Sequence, residues 1–538
     1  MSLRGPARDV RSFGDGALVA AVASVAEAHG LAAAVVGARW RGVEDVVVGY
    51  RSVTVVADPG VADTAALGDE LARIPGATPD PAPARRVEIP VAFDGPDLDD
   101  VAALAGTSRA SVVDHMAGCD LEVAFVGFLP GFAYLEGLPP ALAAVPRRST
   151  PRSSVAGGSL GIGGGFAGIY PQASPGGWQL LGRTGFGLFD PEAPPFAVLR
   201  PGDKVRLRPA ADPGVLVPRA RAPLRAPTAH PGHTVVVEAP GLMSLVQDLG
   251  RVGVARLGVP RAGAADPWAL RAGNRLVGNH DGAAALEVTA LGPRLRFGRG
   301  THLAVVGRAE ASIDGRPIAP DTVVPVSPGQ DLSVGRTLDD LRCYVAVSGG
   351  LDVTPVFGSR SSDVLTGLGP GVLRPGDVLG LGPPGRPRGR ATRLGRGPGP
   401  RVLRVIPGPD DFGEGAVDRL VATTWEVAGS SDRMGVRLHG DEPLVPPVPG
   451  IASRGMVTGA LQVPPDGQPV ALLCDHATVG GYPVLATVVH ADLGALGRCR
   501  PGDTVRFEPV DRAEADRARV RAERSLDASV SGWFPVGL

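Results

Sequence analysis

Glycine and proline punctuate the stretch from Phe125 to Asp190 so closely that no helix of ordinary length can run through it. It opens as Phe125-Val126-Gly127-Phe128-Leu129-Pro130-Gly131-Phe132-Ala133-Tyr134-Leu135 and passes through Pro146-Arg147-Arg148 and Pro151-Arg152 into a glycine-rich run. It closes with Ser174-Pro175-Gly176-Gly177-Trp178, Gly182-Arg183-Thr184 and Phe189-Asp190-Pro191. Short strands joined by tight turns are what such a stretch can form, and a compact β-barrel is the expected result. Arginines set among aromatics suggest a shaped pocket for an anion. The plainer reading is a strand-and-turn core with solvated arginines.

The final part of the chain repeats this logic. Arg500-Pro501-Gly502-Asp503-Thr504-Val505-Arg506-Phe507 echoes Arg200-Pro201-Gly202-Asp203-Lys204-Val205-Arg206-Leu207, and Gly480-Gly481-Tyr482-Pro483-Val484-Leu485 echoes Gly176-Gly177-Trp178-Gln179-Leu180-Leu181. Two related β-domains facing each other would enclose a cleft, with Phe125–Asp190 as one wall and Ser453–Pro483 as the other. Between and around them the pattern predicts helices at Ala17–His29, Asp63–Ile74, Leu98–Ala105, Ser108–Ala117 and Asp266–Leu276, and a strand at Val53–Val56. Ser108 and Asp266 are suited to cap their helices, and Pro267 to the first helical position. The expected division is 1–85, a small α+β unit; 86–210, a barrel; 211–232, a Pro/Ala/Arg linker; 233–384, the first region of a second half. Then follow 385–401, a Gly/Arg/Pro loop or linker; 402–511, a second barrel; and 512–538, a C-terminal helix and tail.

Bulk properties exclude several classes. The net charge of −1 with 20% charged residues leaves no electrostatic footprint for nucleic acid or an anionic membrane. No apolar run reaches the roughly 18 residues of a membrane span, and Met1–Val10 is not followed by a signal-like core, so a cytoplasmic location is expected. Cys119, Cys343, Cys474 and Cys499 are widely spread, without a Cys-x-x-Cys pair. Lys204 is the one lysine, and its Pro-Gly-Asp-Lys-Val setting is neither a P-loop nor a biotin-carrier turn.

Several motifs match chemistry only formally. Gly163-x-Gly165-x-x-Gly168 resembles a dinucleotide fingerprint and Gly157-x-Ser159-x-Gly161 a nucleophile elbow, but both need a following helix that Pro171 and Pro175 forbid. Cys474, Asp475 and His476 form the tightest cluster of reactive side chains; alternation puts Cys474 and His476 on one face and Asp475 on the other. A core thiol beside a pocket-wall histidine competes with a thiol–imidazole pair there, and a metal site from His476, His490 and Asp492 lacks tight ligand spacing. Glu287, between Leu286 and Val288, is either paired with an arginine, the preferred reading, or functional. Gly358-Ser359-Arg360-Ser361-Ser362-Asp363 is either an anion-binding turn or a bare one.

With these residues in view, the chain is similar to a known family. Residues 10–209 resemble allophanate hydrolase subunit 1, the B subunit of 5-oxoprolinase, through Gly14-Asp15, His115, the Gly127–Leu135 run, Pro146-Arg147-Arg148, Gly168-Ile169-Tyr170-Pro171 and Ser174–Trp178. Residues 234–509 resemble the companion subunit 2, the C subunit of 5-oxoprolinase, in the biotin-dependent carboxyltransferase family. The motifs there are Gln247-Asp248-x-Gly250-Arg251, Leu286-Glu287, Gly358-Ser359-Arg360, Arg433-Met434-Gly435, Gln462-Val463-Pro464 and Asp475-His476-x-Thr478-x-Gly480-Gly481-Tyr482-Pro483. The chain departs from the family's usual pattern at Val155–Ser159, Ala477 and Arg498.

The resemblance implies a mainly β fold with α+β: tandem cyclophilin-like β-barrels plus a small N-terminal α+β domain. It implies ATP-dependent ring opening of 5-oxo-L-proline to L-glutamate with a separate 5-oxoprolinase A subunit, using ATP and Mg²⁺ and no covalent biotin. A small-molecule amide substrate is implied; homo-oligomer formation is left open. Such chemistry needs donors for phosphate and carboxylate and a general base. The candidates are Asp475 and His476 for acid/base work and Arg148, Arg152, Arg183, Arg454, Ser359 and Arg360 for anion binding, with Tyr134, Tyr170, Tyr482, Ser174 and Gln462 at the substrate. The family's kinase-inhibitor and antagonist members, and carboxyl transfer from carboxybiotin on a partner, are the alternatives.

Overall fold

A computed structural model describes residues 8–76, 84–217, 219, 221–224, 232–387 and 401–529. The linker expected at Pro79–Pro83 and residues 388–400 of the Gly/Arg/Pro segment lie outside them.

The chain begins with a four-stranded antiparallel sheet of Val10–Ser12, Ala17–Ala21, Ser52–Ala57 and Val43–Gly49, covered by helices Val25–Ala38 and Thr64–Arg73. One expectation is corrected here. Ala17–Ala21 is a strand, paired on both edges, and not the start of a helix. The helix begins at Val25, about two turns later than expected, because Ser24 caps it, its hydroxyl accepting the Glu27 N–H at 3.1 Å. Strand pairing on both sides outweighs the helical preference of an Ala/Leu run.

Two barrels follow the same plan, strand for strand. In the first, the order is Gln179–Arg183, Ser159–Gly163, Phe166–Ile169, Ala133–Glu136, Leu121–Val126, Lys204–Pro209, Arg86–Val91. Ala92 and Arg183 exchange two backbone hydrogen bonds of 2.9 Å that join the ends of this sheet. The second barrel is closed, in the matching order Val484–Val488, Ala460–Gln462, Val470–Leu472, Gly435–His439, Trp425–Val427, Thr504–Pro509, Arg401–Pro407. The repeated Pro-Gly-Asp turn launches the same strand in each, and that strand runs parallel to the barrel's first strand. Both turn aspartates bond their own turn, Asp203 to the Arg200 N–H at 2.9 Å and Asp503 to the Arg500 N–H at 3.0 Å, and both reach an arginine at the base of the first strand, Arg85 and Arg401.

Between the barrels lies a sandwich of six- and five-stranded sheets spanning Thr234–Ala239 to Val378–Gly380. Its helix Pro267–Leu276 starts as the sequence dictates, with Asp266 accepting the Trp268 and Ala269 N–H groups at 3.1 Å. The last helix, Arg512–Ser529, lies across this sandwich and the first sheet through Arg271–Glu523 and Arg275–Asp527 pairs and Arg512 bonds to Gly14. The fold is mainly β: tandem barrels with a small α+β unit at the amino-terminal side. Among the described residues no helix is long and apolar enough to cross a membrane.

Candidate functional site

The duplicated barrels explain several arginines. Asp97 accepts the Leu180 N–H at 2.7 Å and Arg152 at 2.6 Å. In the second barrel Asp410 accepts the Val484 N–H at 2.7 Å and a two-pronged contact from Arg454, one prong at 2.8 Å. Arg152 pairs along the backbone with Gly176, Arg454 with Gly480. Each Arg–Asp pair therefore locks an entering ribbon to the barrel strand after its Gly-Gly-Trp or Gly-Gly-Tyr turn. The anion expected at Arg152 and Arg454 is an internal carboxylate. Arg148 shares Asp97 at 3.2 Å, and Arg183 is exposed and paired with Asp94 at 2.9 Å.

The expected tyrosines fill a junction. Tyr134 and Tyr170 are buried in a cluster with Phe125, Phe132, Phe166 and Trp178, which Val479 of the second barrel and Val47 of the first sheet complete. Phe125 stacks on Tyr134 at 4.3 Å, and Phe132 meets Tyr134, Tyr170 and Trp178 edge-on at 5.1–5.5 Å. Phe125–Asp190 and Ser453–Pro483 do face each other, but this aromatic packing fills the space that a cleft would need. Ser174 is buried, its hydroxyl bonded to the Pro175 carbonyl. Gln462 donates to Met456 Sδ at 3.3 Å, and Tyr482 is half-buried.

Ser359 and Arg360 belong to a turn that is already filled. Asp248 accepts the Ser359 hydroxyl and the Arg360 N–H, both at 2.6 Å, while the Arg360 guanidinium pairs with Asp352 at 2.9 Å. The expected anion-binding turn thus holds the chain's own Asp248.

Asp475 departs most from its expected role. It is fully buried, and Arg433 grips it through two bonds of 2.9 Å. Arg433 also binds Glu287 and the Gly263 carbonyl, the latter at 2.7 Å. Glu287, which Arg342 also faces at 3.3 Å, is paired as preferred. Asp475 further accepts the Val364 N–H at 3.1 Å. Gln172 of the first barrel donates to the next residue, Leu365, at 2.6 Å, so both barrels grip one loop of the sandwich. Asp475 is thus committed to holding the sandwich to the second barrel.

His476 turns the other way, into a cavity of about 440 Å³. Its walls come from the first sheet (with Asp15, Glu44 and Asp58), the sandwich (with Arg261, Trp268 and Arg271), the second barrel (with Cys474, His476, Thr478, Thr487 and His490) and Glu523. No residue of the first barrel lines it. The Gly14–Asp15 turn fits here only because Gly14 has φ +77° and lacks a side chain: a Cβ would stand 2.8 Å from the Thr487 methyl. That places the Asp15 carboxylate on the His490 N–H, at 3.0 and 3.1 Å, across 475 residues of sequence.

The electrostatics are specific. His476 Nδ1 donates to the Ala477 carbonyl at 2.8 Å, since a carbonyl can only accept, and Nε2 is left as the acceptor. Burial pulls His476 below its ordinary value, so the ring is neutral at pH 7. Burial pushes the Asp15 carboxyl up against the opposing pull of His490. His490, edge-on to Trp268 at 6.0 Å, is itself held down by burial. Burial raises the Cys474 thiol far above its usual range, which keeps it protonated and removes the thiol–imidazole reading. Thr478, Thr487 and Trp268 line the cavity, and their Oγ1, Oγ1 and Nε1 atoms are buried without a hydrogen-bond partner. Unpaired polar atoms in the wall of a cavity of this size mark a place where a small shift of the side chain lets a polar ligand restore the missing bonds. Of these residues the sequence marks His476 as an acid/base candidate and offers Cys474 and His490 only in weaker thiol and metal readings; Asp15 and Thr478 appear in motifs without a role, and nothing local marks Thr487 or Trp268.

Comparison with known proteins agrees with the architecture. Residues 9–199 match the model for the carboxyltransferase domain, subdomains C and D, and residues 257–509 the model for subdomains A and B. The chain is 34% identical over 293 residues to the C subunit of 5-oxoprolinase from Escherichia coli strain K12, covering 53% of this chain and 94% of that protein. It is 50% identical over 128 residues to the B subunit of 5-oxoprolinase from Escherichia coli O157:H7, covering 23% of this chain and 58% of that protein. The crystal structure of TTHA0988 in space group P212121 superposes with a TM-score of 0.81 at 37% identity, over 93% of this chain and 99% of that one. The chain belongs to the carboxyltransferase-domain family of the 5-oxoprolinase B and C subunits, with a B-like and a C-like half in one polypeptide.

Proposed function

We propose that this chain is the fused B–C component of a 5-oxoprolinase-type hydrolase, opening the lactam of 5-oxoproline to glutamate together with a separate A subunit in an ATP-dependent reaction. The names of its relatives support the reaction class. The observation that carries the reading is the cavity itself, which neither half forms alone: Asp15 comes from the B-like half, while His476, Thr478, Thr487 and His490 come from the C-like half.

Opening a cyclic amide requires a proton for the ring nitrogen as the C–N bond breaks and an oxygen nucleophile at the carbonyl carbon. Neutral His476 supplies a base through Nε2, and Asp15, whose carboxyl burial pushes upward, is the carboxyl of the B-like half that can pass a proton to the ring nitrogen. The Thr478 and Thr487 hydroxyls hold the amide group. The cavity does not fit a nucleotide's phosphates. Arg261 is committed to Glu44, Arg271 to Asp281 and Glu523, and Asp15, Asp45 and Asp58 add carboxylates. No step in this cavity is routed through ATP or Mg²⁺, and among the described residues no group of three or more His, Cys, Asp or Glu is arranged for a metal.

The test is reconstitution: purified chain, the separate A subunit, ATP and 5-oxoproline release glutamate, and omission of any one stops the release. An inert complete mixture refutes the reading. The carboxyltransferase-domain matches favour a second reading, carboxyl transfer to an amide from carboxybiotin on a partner protein. Incorporation of labelled bicarbonate that depends on such a partner would select it.

A further inference from the structure

The two barrels serve as each other's control, and they differ at one place. Arg148 N–H donates to the Gly177 carbonyl at 2.8 Å, and its counterpart is Ile451, whose N–H donates to the Gly481 carbonyl at 2.8 Å. In the second barrel one arginine, Arg454, meets one carboxylate, Asp410. In the first barrel Arg148 and Arg152 share a single carboxylate oxygen of Asp97. Arg147 stands beside them and reaches only the Ser453 hydroxyl, at 3.3 Å, with no carboxylate partner among the described residues. The lock is complete with Arg152 and Asp97, so Arg147 and Arg148 are cations that the barrel does not require.

Their surroundings fix them in place. The Gly163–Gly164 corner of a tight hairpin backs Arg147: a Cβ at Gly163 would sit 3.1 Å from its Cγ, and one at Gly164 3.3 Å from its Nε. Gly164 and Gly165 both have positive φ, as a two-residue hairpin of this kind requires. Arg147 and Arg152 both lie within electrostatic reach of the Tyr170 hydroxyl, which takes the Trp178 N–H and which burial keeps protonated, its value raised to about 12. Arg147 Nε, Arg148 Nε and Arg152 Nη1 are buried without acceptors, while the side chains of Arg148 and Arg152 remain 34% and 24% exposed. Clustered guanidinium groups in excess over their carboxylates repel one another unless an anion is added.

We propose that Arg147 and Arg148, with Arg152 and the Tyr170 hydroxyl beside them, form a subsite for a phosphoryl anion, phosphate ester or phosphate anhydride. A monocarboxylate would leave positive charge over; a phosphoryl group of two or more charges balances the excess and matches the planar donors of arginine. The subsite is coupled to the cavity by one ribbon. Ser453 and Gly481 flank the paired residues Arg454–Gly455 and Val479–Gly480 on the Arg147 side, and Met456 and Thr478 follow on the cavity side. Three residues of extended chain separate the two ends, about 10 Å. The proposal rests on the reading above only in that a nucleotide-dependent reaction needs a phosphate site outside the cavity.

The test is binding without turnover, so it stands or falls apart from ring opening. Tripolyphosphate, ATP, inorganic phosphate and acetate are titrated calorimetrically into the full chain, with neither 5-oxoproline nor the A subunit present. Tripolyphosphate and ATP are expected to bind and to compete, and acetate to be silent. Each of Arg147→Gln and Arg148→Gln should weaken tripolyphosphate about tenfold or more, while Arg109→Gln on an exposed helix should not. Melting supplies a readout that misfolding would not mimic. In phosphate-free buffer Arg147→Gln/Arg148→Gln should melt no lower than wild type, and tripolyphosphate should raise the wild-type transition but not that of the double variant. No binding by wild type, equal binding by the double variant, or acetate binding as tightly as tripolyphosphate would each overturn the proposal.

Discussion

Replacing Arg433 by methionine tests the role given to Asp475. Arg433 is the sole side-chain cation that hydrogen-bonds Asp475 among the described residues, and it also binds Glu287 and the Gly263 carbonyl. The two carboxylates fare differently without it. Glu287 keeps Arg342 nearby, the Tyr344 hydroxyl at 2.7 Å and the Ala265 N–H at 2.8 Å. Asp475 keeps only the Val364 N–H. Asp475 must then remain as a poorly compensated buried charge, at about 3–5 kcal/mol. At about 2–4 °C per kcal/mol for a large unit, thermal unfolding followed by circular dichroism should shift down by about 6–20 °C. Arg433→Met/Asp475→Asn should recover most of the loss, because it removes the stranded charge. A single variant that melts within about 2 °C of wild type, or a double variant no better than the single, would refute the structural role and return Asp475 to the chemical candidates.

Asp363 is buried beside Asp475, and burial followed by that neighbouring charge raises its carboxyl to about 7 from 3.8. The folded chain therefore holds a proton that the unfolded chain releases, so this group's contribution falls as pH rises from about 4 to about 7 and is flat above that. Asp363→Asn should gain in melting temperature relative to wild type across this window; a difference that does not change with pH would contradict the assignment. At Gly258, where φ is +76° and a Cβ would stand 2.0 Å from the Leu129 carbonyl, alanine should loosen the first barrel from the sandwich and cost about 2 kcal/mol or more. Unaltered melting and protease resistance would show that the contact is dispensable.

Local chemistry was legible in the sequence and long-range assembly was not. The Pro-Gly-Asp turns announced the second barrel, and Asp266-Pro267 announced the helix of the sandwich, because a turn or a cap involves neighbours a few residues apart. Ala17–Ala21 was misread because its strand partners lie elsewhere in the chain. Arg152 and Arg454 were recognised as anion ligands, yet their partners Asp97 and Asp410 sit 55 and 44 residues away and could not be inferred by spacing. Cys474 and His476 both line the cavity while Asp475 meets Arg433, but the strand that alternation assumes ends at Leu472: residues 473–476 form a turn closed by the His476 N–H on the Leu473 carbonyl, so the division of faces comes from the turn and not from periodicity. The cavity was invisible because Asp15 reaches His490 only after both halves have folded.

The central claim is that the cavity shared by the two halves is where the amide is handled. It is tested most directly by glutamate release from 5-oxoproline, with ATP and the A subunit, for wild type, His476→Gln and Thr487→Val. Removing a base should lower turnover about a hundredfold or more, and removing the unpaired Thr487 hydroxyl should raise the 5-oxoproline KM, with melting temperatures held near wild type. Wild-type kinetics in both variants would contradict the account.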